Sequence, residues 1–68
     1  MRPHSSAIRY RRRALNMSLR TLSAKTGIHR SHLSRVERGL AGLSDTNIEI
    51  VADALGVTPN DITHKETP

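Results

Sequence analysis

Residues that end helices recur along this chain of 68 residues and restrict it to short elements. They are Asn16, Gly27, Gly39 and Gly56, and both residue types tolerate the left-handed backbone found where helices end. Between them, apolar residues recur three, four and seven positions apart, which places their side chains on one face of a helix. The sequence therefore predicts an all-α fold of short helices around a common core.

Five helices are predicted from these stops and from residues whose side chains can accept a hydrogen bond in the first turn. The first helix is capped by Ser5 or Ser6 and ends near Leu15, with Ile8 and Leu15 on one inner face. Three more helices are predicted over 19–26, 30–38 and 45–55, and a short fifth helix begins at about residue 59. Their predicted N-caps are Ser18, His29, Ser44 and Thr58.

Length and composition set further bounds. A chain of this size is sufficient for one domain, which we expect over 6–63, with a disordered lead at 1–5 and a flexible tail at 64–68. There is no cysteine, so disulfides and thiolate metal sites are excluded. Short apolar runs and a polar N-terminus predict neither a membrane span nor a secretory signal. We therefore expect a cytoplasmic, nucleoid-associated protein.

Charge is distributed unevenly along the sequence. Residues 1–36 contain nine Lys and Arg residues and no acidic residue, whereas residues 37–68 contain two basic and six acidic residues. A basic half favours the binding of a polyanion at one face, although a merely soluble basic protein is the alternative. The single aromatic residue argues against stacking on unpaired bases, so double-stranded DNA is the expected partner.

The segment Ser18–Gly39, SLRTLSAKTGIHRSHLSRVERG, is the most informative part of the sequence. Two predicted helices are joined there by a short turn that contains Gly27. This is the layout of a helix-turn-helix motif, whose second helix enters the major groove of DNA. Apolar residues can anchor that second helix and leave its opposite face free: Ile28, Leu33 and Val36.

The chain resembles the Cro and phage-repressor family of helix-turn-helix regulators, also called XRE-type, over about Ile8–Ile62. The segments IRYRRRALNMS, LSAKTGIHRSHLSRVERG and ALGVT carry the resemblance. It implies a compact five-helix, lambda-repressor-like DNA-binding domain. It further implies a transcriptional regulator, in particular a repressor, that binds a near-palindromic operator as a homodimer.

The candidate base-contacting residues lie on the outward face of the second helix of the motif. The resemblance places Arg30 at the main base-reading position of the family, and a guanidinium can donate two hydrogen bonds to guanine. The outward face also carries Ser31, Ser34 and Arg35. An ordinary solvated basic helix is the alternative interpretation.

Phosphate contacts are expected at helix N-termini and from cations beside them. The candidates are Ser18, Arg20, His29, His32 and Arg38. The spacing of His29 and His32 also permits a metal ion, but no third ligand follows nearby. No metal or other cofactor is therefore predicted.

The resemblance also implies a structural ion pair between Arg12 and Glu37, which would tie the first helix to the third. Glu37 is the only acidic residue close to the basic half. We expect its removal to affect stability more than base preference.

A transcriptional regulator, and not an enzyme, is the predicted function. Ser and His residues are present without an orienting carboxylate, so no small-molecule substrate is expected. The alternative is a protein-interaction module on the same fold, such as an antitoxin, a coactivator or a bridging factor. The predicted dimer surface consists of Leu40, Leu43, Val57 and Ile62.

Overall fold

The computed structural model describes residues 2–64 and contains four α-helices in that part of the chain. They are α1 (Ser5–Ala14), α2 (Leu19–Thr26), α3 (Arg30–Glu37) and α4 (Asp45–Leu55). A 3₁₀ turn, Pro59–Ile62, follows α4. The all-α prediction is confirmed, and the predicted count of five helices is wrong. The segment Pro59–Ile62 has only four residues and leads directly into extended backbone. It is therefore too short to form a series of α-helical hydrogen bonds.

The helices α2, α3 and α4 begin where their local signals predict. The bounds of α2 and α4 are those predicted, and α3 ends one residue earlier than predicted. Ser18 and Ser44 cap α2 and α4 by accepting the backbone N–H groups of Thr21 and Asn47. Asn16 has a φ of 53°, as expected for a residue that ends a helix in left-handed backbone.

The first helix has a different cap from the one predicted. Its N-cap is His4, whose Nδ1 accepts the backbone N–H of Ala7 at 3.1 Å. Ser5 and Ser6 lie inside the helix. The backbone N–H of His4 donates to the carbonyl of Ile62 at 2.7 Å, so contact with a distant part of the chain sets the start of α1.

The two ends of the described chain meet. β1 (Arg2–Pro3) pairs in antiparallel register with β2 (Thr63–His64), and the rings of His4 and His64 stack with centroids 4.3 Å apart. Of the lead predicted at 1–5, residues 2–4 form a strand and a helix cap and Ser5 begins α1, whereas residue 1 lies outside the described residues. Of the predicted tail, residues 65–68 lie outside the described residues.

The core is formed by one face from each helix together with the 3₁₀ turn. The buried apolar side chains are Ile8, Leu22, Ile28, Leu33, Val36, Ile48, Val51, Ala52, Leu55 and Ile62. Leu15 is 52% exposed, contrary to its predicted inward position, because α1 ends at Ala14 and the backbone of Leu15 leaves the helical path. No helix in the described residues is long and apolar enough to cross a membrane.

Candidate nucleic-acid interface

The turn between α2 and α3 is held by its own polar groups. Gly27 ends α2 in left-handed backbone with a φ of 74°. The hydroxyl of Thr26 donates to the carbonyl of Leu22 at 2.8 Å and accepts the backbone N–H of Ile28 at 3.2 Å. Ile28 is buried beneath the turn. Thr26, a residue that the sequence interpretation missed, therefore links the end of α2 to the segment that leads into α3.

The helix α3 has one buried and one open face. Leu33 and Val36 are each 1% exposed and anchor it in the core. The predicted base-contacting side chains lie on the other side: Arg30, Ser31 and Arg35 are exposed and Ser34 is half-buried. Ser31 and Arg35 are four residues apart, as are Arg30 and Ser34, so each pair lies along one side of the helix. The structure therefore brings all four onto the accessible side of α3, and their contacts with bases stay predictions.

His29 caps α3, as predicted. Its Nδ1 accepts the backbone N–H of Ser31 at 3.1 Å and lies 2.7 Å from the hydroxyl oxygen of Ser31. His29 and Ser31 are both exposed. The imidazole thus occupies the position where a short polar side chain usually caps a helix.

The predicted phosphate-contacting residues fall into two groups. Arg20, His29 and Arg38 are exposed, and the hydroxyl of Ser18 is engaged in capping α2. His32 is half-buried, and its Nε2 lies 3.0 Å from the carbonyl oxygen of Gly42. This contact links α3 to the loop that follows it, and the phosphate contact of His32 stays a prediction.

The predicted ion pair between Arg12 and Glu37 is present and has bidentate geometry. Arg12 Nε donates to Glu37 Oε2 at 2.7 Å, and Arg12 Nη2 donates to Oε1 at 2.9 Å. Only 11% and 5% of the two side chains are exposed. The hydrogen bonds from Glu37 raise the pKa of Arg12 above its usual value. A third bond, from Arg12 Nη1 to the carbonyl of Met17 at 2.8 Å, extends the link to the residues before α2.

The predicted dimer surface is only partly available. Ile62 is fully buried in the core, because the 3₁₀ turn folds back against α4, so this part of the prediction is wrong. Leu43 and Val57 pack against the core and are half-buried. Leu40 is 61% exposed in the loop after α3. Leu40 is therefore the most accessible member of the predicted set.

A helix-turn-helix on a small helical core, with a basic helix presented to solvent, defines the class of DNA-binding helix-turn-helix regulators. The sequence model of the helix-turn-helix family matches residues 8–62. The chain belongs to this family.

Proteins similar to this chain include regulators of restriction-modification systems. Control protein C.BamHI of Bacillus amyloliquefaciens is 43% identical over 47 residues, which are 69% of this chain and 58% of that protein. The crystal structure of the restriction-modification controller protein C.AhdI from Aeromonas hydrophila has a TM-score of 0.82 at 34% identity, covering 85% of this chain and 88% of the other.

A structure solved with DNA is also similar. SinR, the master regulator for biofilm formation, in complex with DNA, has a TM-score of 0.79 at 31% identity. The alignment covers 84% of this chain and 95% of the SinR chain. This chain therefore shares its fold with a regulator that was solved with DNA.

Proposed function

We propose that this protein is a sequence-specific transcriptional regulator that reads double-stranded DNA by inserting α3 into the major groove. The observation that carries the proposal is the exposure of Arg30, Ser31 and Arg35 on a helix whose opposite face is anchored in the core. The family and the similarity to SinR, which was solved with DNA, support it. No catalytic step forms part of this function.

Within this proposal, the side chains divide between base reading and positioning. Arg30 and Arg35 donate to guanine O6 and N7, where a bidentate contact discriminates against a wrong base by about 1–3 kcal/mol. Arg20, His29 and Arg38 contact phosphates together with the N-terminal N–H groups of α2. Such contacts orient the protein on the duplex without carrying sequence information.

We further propose that two copies bind a near-palindromic operator as a homodimer and repress transcription. Two α3 helices related by a two-fold axis would then enter successive major grooves about 34 Å apart. The exposed side chain of Leu40, with Leu43 and Val57 half-buried in the same molecule, provides apolar surface for the contact between copies.

Selection of bound sequences from random double-stranded DNA tests the function. The wild type is expected to enrich a near-palindromic motif. Arg30→Ala should lose preference at one base pair in each half-site, by a factor of roughly 5 to 150 in affinity, which corresponds to 1–3 kcal/mol. Arg13→Ala is the matched control, because it removes a positive charge that is also exposed, but on α1. It should leave the motif unchanged.

Two results would contradict the proposal. Absence of any enriched sequence with the wild type would exclude sequence-specific binding. That result would favour a protein-interaction module on this fold, whereas a motif that is the same for wild type and Arg30→Ala would exclude base reading by Arg30.

A further inference from the structure

The start of α3 contains a side-chain contact that fixes the direction of a proton. Two groups of Ser31 converge on Nδ1 of His29: the backbone N–H at 3.1 Å and the side-chain hydroxyl at 2.7 Å. The backbone N–H can only donate. Nδ1 of His29 must therefore present its lone pair, and the proton of the neutral imidazole resides on Nε2.

This tautomer determines what the Ser31 hydroxyl can do. Because Nδ1 carries no proton, the contact at 2.7 Å is a hydrogen bond only if the hydroxyl donates to it. The single proton of the hydroxyl is then directed at His29. The oxygen can then only accept a hydrogen bond from any other group, whereas a free serine hydroxyl can either donate or accept one.

We infer that His29 fixes the Ser31 hydroxyl as a hydrogen-bond acceptor towards DNA, so that Ser31 selects a base with an exocyclic amino group. This inference rests on the proposed function. In the major groove, cytosine N4 and adenine N6 are the donors, whereas guanine O6 and N7 and thymine O4 only accept. Ser31 thus complements Arg30, which only donates and therefore selects guanine. His29 is a positioning residue here, while its Nε2–H stays able to donate to phosphate.

The test compares wild type, Ser31→Ala and His29→Gly in the same selection from random DNA, followed by affinity measurements on duplexes that differ at one base pair. Gly is an accepted N-cap residue, so His29→Gly frees the hydroxyl while leaving α3 formed, which circular dichroism and the melting temperature verify. The wild type should prefer adenine or cytosine over guanine or thymine by about fivefold at one position. Both variants should lose this preference at that position alone.

The position of the lost preference separates positioning from a purely structural effect. A structural defect in His29→Gly would weaken binding to all sequences alike, whereas loss of positioning removes the preference at one base pair. A preference for guanine or thymine at the Ser31 position would overturn the inference, as would unchanged preferences in either variant. If the wild type enriched no sequence, the proposed function itself would fail, and the inference with it.

Discussion

At the scale of single residues, the buried ion pair decides how the motif is attached to the rest of the protein. Arg12 reaches from α1 to the last residue of α3, and each partner satisfies the other with little access to water. Removal of one partner leaves the other charge buried and uncompensated, which costs more than the pair itself contributes. Glu37 thus ties the basic helix α3 to α1.

We expect Glu37→Ala to lower the free energy of unfolding by about 3–5 kcal/mol, because the guanidinium of Arg12 loses its carboxylate inside the fold. Urea denaturation followed by circular dichroism measures the change. Glu49→Ala, on the exposed face of α4, is the matched control and should alter stability by less than about 0.5 kcal/mol. Equal losses in the two variants would show that the pair does not stabilise the fold.

At the scale of the elements, the turn between α2 and α3 depends on a residue that can adopt left-handed backbone. Gly27 adopts left-handed backbone at the end of α2, and nothing lies within 4 Å of the place where a Cβ would be. Any cost of a side chain there is therefore conformational and not steric. This allows the backbone strain to be measured without interference from packing.

Gly27→Ala should destabilise the protein by about 1 kcal/mol, since alanine disfavours left-handed backbone. Gly42→Ala provides the comparison, because a Cβ added to Gly42 would also meet no atom within 4 Å, but Gly42 does not have a positive φ. That variant should be neutral or slightly stabilised through its less flexible unfolded state. Thermal and urea unfolding measure both changes, and a Gly42→Ala variant as unstable as Gly27→Ala would refute this account.

At the scale of the whole molecule, the uneven charge along the sequence becomes a difference in charge between the helices. The nine basic residues of the first half include Arg20 and Lys25 of α2 and Arg30 and Arg35 of α3, whereas α4 contributes Asp45, Glu49 and Asp53. Binding of such a basic region to DNA releases condensed counterions, so affinity must fall as salt increases.

The logarithm of the association constant for DNA should fall linearly with the logarithm of salt concentration. Arg20→Gln, which removes a proposed phosphate contact at the N-terminus of α2, should reduce the magnitude of that slope by about 1. Arg9→Gln removes the same charge from α1 and should leave the slope close to that of the wild type. Fluorescence anisotropy over a salt series measures it, and equal slopes for Arg20→Gln and the wild type would rule out the contact.

The sequence alone determined the features that depend on neighbours within a few positions. Caps, left-handed stops and helical spacing are local, so the bounds of α2 and α4 and the cap at His29 could be predicted from residues close in the chain. The resemblance to a known family extended this to the pair of Arg12 and Glu37. Only the tertiary structure decided what depends on residues distant in the chain or on the directions of single side chains.

The features that only the tertiary structure decided include the pairing of β1 with β2, the cap at His4 and the contact between His32 and Gly42. The two-donor contact of Ser31 with His29 is close in sequence, yet its consequence depends on which ring nitrogen faces the helix. Pattern and propensity describe the backbone over one or two turns, whereas the direction of a hydrogen bond is set by the full three-dimensional arrangement of donors and acceptors.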